Sequence, residues 1–134
     1  GEYSHNHYSF GAVSEWFFKS LAGLNPDPDQ PGFKHFVVQP HPVGDLKWVR
    51  ATHDSVRGPI TINWKRDRGT FRLELSVPPG FTATVHLPTS HPEVVTESGR
   101  AAIKARGVKF LRAETGMAIY EVGSGRYLFE APLP

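Results

Sequence analysis

Two alternating runs face each other between Pro59 and Val77. In the first, Ile60, Ile62 and Trp64 alternate with Thr61 and Asn63; in the second, Phe71, Leu73, Leu75 and Val77 alternate with polar residues. A period of two places every second side chain on one face of a strand. Between the runs lies Lys65-Arg66-Asp67-Arg68-Gly69, charged throughout and ended by glycine. Two clean alternations across such a turn define a β-hairpin, and this is the clearest hairpin in the chain.

The same pattern recurs along the sequence. Phe33 to Gln39 reads as a strand, and Asp45 to Thr52 as another with Leu46, Trp48 and Ala51 inward. Pro78-Pro79-Gly80 is a turn, after which Phe81, Ala83, Val85 and Leu87 share one face. Shorter strands are predicted at Glu93 to Thr96, Val108 to Ala113, Met117 to Val122 and Arg126 to Glu130, with Gly123-Ser124-Gly125 joining the last two as a tight hairpin. Thirteen glycines and twelve prolines punctuate these segments and disfavour a helical bundle. Short strands about 8 to 12 residues apart point to a mainly β chain, an antiparallel, jelly-roll-like β-sandwich. No crossover helix lies between the strands, so parallel pairing is not expected.

One α-helix precedes the strands, over residues 8 to 22. At about 100° per residue, Phe10, Val13, Phe17, Leu21 and Leu24 fall on one stripe. Trp16 and Phe18 flank it and widen the apolar arc to roughly 200°, more than a helix lying on one face of a small domain requires. Asn6 or Ser9 is placed to cap its start and Gly23 to end it. Such a helix either self-associates or packs against helices N-terminal to Gly1. Residues 25 to 32 follow as Asn-Pro-Asp-Pro-Asp-Gln-Pro-Gly, a stiff connection in which each proline fixes its own φ and restricts the residue before it. The predicted organisation is therefore a helical segment over 1–24, a proline-rich linker over 25–32 and a β-domain over 33–134.

Composition narrows the chemistry. Fifteen basic residues against thirteen acidic ones leave a formal charge of +2, with no clustering, so neither nucleic acid nor a membrane surface is an expected partner. The absence of cysteine excludes disulfides, thiolate metal sites and cysteine nucleophiles. No apolar run reaches the roughly 18 residues of a membrane span, and no signal peptide is visible. At 134 residues the chain can bury one core, yet it is shorter than most enzymes of complex substrates. It begins at Gly1 without a methionine, which suggests a start inside a larger parent or after a tag.

Candidate site residues are few. His5 and His7 offer two imidazoles, but no third ligand stands at a telling spacing, so no metal site is expected. No Gly-x-Ser-x-Gly elbow presents a nucleophile. Glycoside hydrolysis needs two carboxyl groups flanking the bond, and the helical part holds only Glu2 and Glu15. Trp48 and Trp64 are candidates to stack on sugar rings, although both sit in phase with apolar neighbours, which reads them as core. Asn6 and His7 stand where a loop enters the helix, a place suited to meeting a ligand, and an imidazole there can donate to or accept from a sugar hydroxyl. The plainer reading is that Asn6 caps the helix and His7 is half exposed.

Those residues also carry a resemblance. The block Asn6-His7-Tyr8-Ser9-Phe10-Gly11-Ala12-Val13-Ser14-Glu15-Trp16 is similar to the opening of the last barrel helix of bacterial α-L-rhamnosidases, glycoside hydrolase family 78. The likeness continues through Leu21-Ala22-Gly23-Leu24 and Pro28-Asp29-Gln30-Pro31-Gly32-Phe33-Lys34-His35. It goes on through Gln39-Pro40-His41-Pro42-Val43-Gly44-Asp45-Leu46 and Asp54-Ser55-Val56-Arg57-Gly58-Pro59-Ile60. It is strong over residues 4 to 60 and looser to the end.

The resemblance implies an (α/α)₆-barrel catalytic domain followed by a C-terminal β-sandwich, of which this chain would hold the last barrel helix and the sandwich. It implies inverting hydrolysis of terminal α-L-rhamnose from rhamnosyl glycosides by a general acid and a general base, with no cofactor. Both acids would lie upstream of Gly1, so neither Glu2 nor Glu15 is assigned a catalytic role. His7 matches the family position that contacts bound rhamnose; Asn6 matches the motif, with a less direct implication for the sugar. The expected partners are the rhamnosyl substrate of the parent enzyme and the upstream barrel of the same chain, with self-association through the apolar helix as a further expectation. The strands themselves are expected to brace the barrel, the alternative being a carbohydrate-binding module. Two coplanar exposed aromatics on one sheet face would favour that alternative. A periplasmic or secreted location is favoured for the parent, a cytoplasmic one being open.

Overall fold

The computed structural model describes residues 35–40, 47–55 and 57–134, together with the backbone of residues 24–26. The helix expected over 8–22 and the residues before it, Asn6 and His7 included, lie outside the described residues, as do Leu46 and most of the linker.

Eleven strands are described: β1 (Leu24–Pro26), β2 (His35–Val38), β3 (Trp48–Ser55), β4 (Gly58–Asp67), β5 (Thr70–Val77), β6 (Thr82–Pro88), β7 (Thr96–Glu97), β8 (Arg100–Ala101), β9 (Val108–Glu114), β10 (Met117–Val122) and β11 (Gly125–Pro132). They form two sheets, a five-stranded one in the order β1-β2-β6-β10-β9 and a six-stranded one in the order β3-β4-β5-β11-β7-β8. The inner faces share one core. Phe36, Val38, Ala83, Val85, Leu87 and Tyr120 of the first sheet meet Ile62, Trp64, Phe71, Leu73, Leu75 and Phe129 of the second. The Tyr120 and Phe129 rings, one from each sheet, lie 5.6 Å apart between centroids.

The hairpin expected around Lys65–Gly69 forms, with a tighter turn. The strands run on to Asp67 and Thr70, leaving only Arg68 and Gly69 as the loop, at φ of 51° and 79°. Two positive φ values make a type I′ turn, whose twist matches that of the strands it joins. Ser98 and Gly99 repeat the device between β7 and β8, at φ of 52° and 83°. The alternation of β4, β5 and β6 is borne out, with Ile60, Ile62, Trp64, Phe71, Leu73, Leu75, Val77, Phe81, Ala83, Val85 and Leu87 all buried.

Four expectations need correction. First, Trp48 points outward and is 39% exposed. The register sets Val49 opposite Trp64, Ala51 opposite Ile62 and Trp48 opposite Lys65. Directly opposed residues share a face, so Val49 and Ala51 take the core and Trp48 takes solvent. A phase error of one residue reverses every side chain of a strand. Second, the sheets are not wholly antiparallel: β2 runs parallel to β6, with His35 opposite Thr82 and Val38 opposite Val85. The connection needs no helix, because the chain returns to β6 after building β3, β4 and β5 in the other sheet.

Third, Gly123-Ser124-Gly125 is a corner and not a hairpin. β10 pairs with β6 and β9, whereas β11 pairs with β5 and β7, so the turn carries the chain from one sheet to the other. Tyr127 fastens it: its hydroxyl donates to the Gly123 carbonyl at 2.9 Å, with the Ser124 carbonyl at 3.4 Å. The Gly123 amide in turn donates to the Gly107 carbonyl at 3.2 Å. Fourth, Pro92–Val94 form a single 3₁₀ turn where a strand is expected, and pairing begins only at Thr96. A proline at the first position of a helical turn loses no hydrogen bond, since that amide has no partner inside the turn. The sheet also takes in Leu24–Pro26, which the sequence places at the end of the helix and the start of the linker. Proline is tolerated there because β1 is an edge strand.

Candidate functional site

Inward alternation leaves an outward row on every strand of the six-stranded sheet. Across β3, β4, β5 and β11 the registers align Arg50 with Asn63, Asn63 with Glu74, and Glu74 with Leu128. The neighbouring row aligns Thr61 with Ser76 and Ser76 with Arg126. These two rows line a cleft of about 490 Å³, to which Ser98 at the β7–β8 turn also contributes. Asn63 Nδ2 donates to Glu74 Oε1 at 2.6 Å across the strands. Neither Arg50 nor Arg126 forms an ion pair among the described residues, whereas Arg72, one row away, pairs with Glu130 at 3.4 Å. Trp48 lies on the same outward face of β3 as Arg50, two residues before it.

Several carboxyl groups elsewhere have partners of their own. Glu97 is buried; its Oε2 accepts from the Ser98 hydroxyl at 2.6 Å and from the Leu128 amide at 3.1 Å. Glu114 pairs with Arg112 at 2.7 Å, and Glu93 lies 3.5 Å from His91. Glu74 is the only carboxylate lining the cleft, so among the described residues the cleft offers no acid and base pair for glycoside hydrolysis.

The two candidate tryptophans separate. Trp64 is fully buried against Phe71, at 5.5 Å between rings, and is core. Trp48 is available to a ligand. The other exposed aromatic among the described residues is Phe110, on β9 of the opposite sheet, so no two of them form a platform on one face. The described histidines are dispersed. His35 is held between the hydroxyls of Thr82 and Thr84. His86 Nδ1 is buried without a hydrogen-bond partner, and burial lowers its pKa below the usual histidine value, Glu114 opposing and Arg112 assisting. No group of three or more His, Asp or Glu side chains gathers among the described residues.

Tyr120 also carries a buried hydroxyl with no partner, and burial pushes its pKa up to about 12. Its ring fills space between the sheets while its oxygen gains nothing. Tyr120→Phe should therefore be neutral or stabilising by up to about 1 kcal/mol in urea denaturation, since it removes a desolvated group and no bond. A loss of more than that would reveal a partner for the hydroxyl.

Sequence alone does not bring this cleft together. Asn63, Glu74 and Ser76 stand at the polar positions of alternating runs, whereas Arg50 falls in phase with Trp48, which the sequence reads as inward; their convergence with Arg126 depends on strand order, which alternation does not carry. Asn6 and His7 lie outside the described residues.

Comparison with known proteins places the chain. The family profile described as bacterial alpha-L-rhamnosidase C-terminal domain matches residues 23–102, more than half of the chain. An α-L-rhamnosidase of Streptomyces avermitilis is 39% identical over 126 residues, covering 94% of this chain and 11% of that protein. The crystal structure of the Streptomyces avermitilis α-L-rhamnosidase complexed with L-rhamnose superposes with a TM-score of 0.75, at 38% identity over 93% of this chain and 11% of that one. The α-L-rhamnosidase structure from Dictyoglumus thermophilum gives 0.74, at 32% identity over 90% of this chain and 13% of that one. The chain thus spans only about a tenth of the length of these relatives. With a profile match over most of its length and a two-sheet fold shared with these structures, the chain belongs to the bacterial α-L-rhamnosidase C-terminal domain family.

Proposed function

We propose that this chain is the C-terminal part of an inverting α-L-rhamnosidase and that its β-domain braces an upstream (α/α)₆ catalytic barrel. One observation carries the reading: a family C-terminal domain that spans 11% of its Streptomyces avermitilis relative has no acid and base pair in its described cleft. The residues before β1 then supply the last barrel helix, and the two sheets, β1 included, form a jelly-roll-like domain. His7, with Asn6 beside it, contacts the rhamnose of the parent's substrate. The wide apolar arc over residues 8–22 is buried by the other barrel helices, and in their absence drives self-association of the isolated chain.

In the parent, a protonated carboxyl group assists the leaving oxygen while a carboxylate activates water; both come from the barrel. The purified 134-residue chain should therefore release no phenol from an aryl α-L-rhamnoside. In the parent enzyme, deleting the segment equivalent to residues 33–134 should lower the melting temperature of the barrel, and His7→Ala should raise KM by about tenfold or more, as loss of a charged or strongly polar sugar contact does. Clear turnover by the isolated chain, or a barrel whose melting is unaffected by the deletion, would sink the reading.

A further inference from the structure

The cleft on the outer face of the six-stranded sheet has a specific chemistry. Two guanidinium groups, Arg50 and Arg126, enter it from strands three spacings apart, about 14 Å. One carboxylate, Glu74, lies between them and is oriented by Asn63. Hydroxyls of Thr61, Ser76 and Ser98 complete the lining. Two cations against one anion leave a net positive cleft, and the cations have no carboxylate partner among the described residues.

A ligand that satisfies this lining must do two things. It must bring an anionic group that a guanidinium can grip through two parallel N–H donors. It must also donate hydroxyl protons, because Glu74 accepts and does not donate when ionised. A densely charged polyanion meets the first need and fails the second, since Glu74 repels it. A neutral sugar meets the second and leaves both arginines unpaired. A saccharide carrying a carboxylate meets both. Trp48, two residues and about 6.6 Å along β3 from Arg50, presents an exposed indole at the margin, where the apolar face of a sugar ring can rest.

We infer that the outer cleft of the six-stranded sheet binds an acidic saccharide, with Arg50 and Arg126 holding its carboxylate groups and Glu74 its hydroxyls. The inference rests on the residues lining the cleft and not on the bracing role. The cleft would hold an acidic glycan chain beside an enzyme that trims it.

The test is an amide-resolved NMR titration of the 134-residue chain with trigalacturonate, maltotriose and sodium acetate as probes. Trigalacturonate should shift the amides of Arg50, Asn63, Ser76, Ser98 and Arg126, and the shifts should weaken as salt rises, because exposed charges are screened. Arg50→Gln and Arg126→Gln should each weaken binding about tenfold, the scale of one charge-assisted contact, while Lys109→Gln on the opposite sheet changes nothing. Equal shifts with maltotriose would overturn the acidic class, and equal shifts with acetate would reduce the cleft to a simple anion site. Shifts confined to other residues, or none at about 10 mM trigalacturonate, a concentration far above a weak specific dissociation constant, would overturn the site itself.

Discussion

Trp64→Ala should destabilise the domain by about 3–5 kcal/mol, the range found when a fully buried large aromatic is truncated. Trp64 has no exposed surface and packs against Phe71 on the neighbouring strand of the same sheet. Its removal forfeits both the transfer of the indole out of water and its contacts across the core, and a sheet held by ladders on both sides of β4 collapses poorly into the space. Trp48→Ala provides the contrast. That side chain is outward and 39% exposed, so its loss should stay within about 1 kcal/mol. Chemical denaturation of both variants checks the pair. A Trp48 variant as damaged as the Trp64 variant would mean that β3 sits in the opposite phase.

Gly107→Ala should cost about 2–3 kcal/mol, for two separable reasons. Gly107 has a φ of 79°, where an L side chain is strained by roughly 1–2 kcal/mol. A Cβ there would also stand 2.8 Å from the Tyr127 hydroxyl, closer than van der Waals contact permits. That hydroxyl is the fastening of the corner at Gly123 and Ser124, and displacing it gives up a hydrogen bond worth about 1 kcal/mol. Tyr127→Phe alone should therefore cost about 1 kcal/mol. In the double variant the offending oxygen is gone and the nearest ring atoms lie 3.7 Å away, so the steric part disappears and the combined loss falls short of the sum. Strict additivity would show that Gly107 is constrained by its backbone alone.

What sequence could reveal divides along a physical line. Period-two patterning reports which face of a strand is buried, and where the apolar set is long and regular, as in Ile60–Trp64, Phe71–Val77 and Phe81–Leu87, it is right residue by residue. It fails at Trp48, where Leu46 and Trp48 suggest one phase and Val49 and Ala51 the other; only the pairing with β4 decides. Patterning is equally silent on which strand lies beside which. The parallel β2–β6 pair and the sheet change at Gly123–Ser124 are properties of long-range order. A two-residue glycine-rich turn reads as a hairpin unless the far partners are known. The cleft inherits this blindness, because Arg50 and Arg126 are 76 positions apart in sequence and meet only through the β3-β4-β5-β11 order. The family signal, by contrast, lies in ordered blocks of residues, and the profile match over residues 23–102 agrees with it.

The β2–β6 pairing sets a timetable for synthesis. His35 leaves the ribosome 47 residues ahead of Thr82, its neighbour in the finished sheet. Until then β1 and β2 can make only a two-stranded ribbon, which is marginal in water by itself. Phe36 and Val38, fully buried in the completed domain, meanwhile lack the β6 neighbour that completes their sheet. The meander β3-β4-β5 pairs between near neighbours and can assemble in the interval. Nascent chains halted before residue 82 should thus expose an apolar edge that chaperones bind, and chains released past β6 should lose that affinity. Strands that are made first are completed late, and the newborn domain is most vulnerable along the strands it makes first.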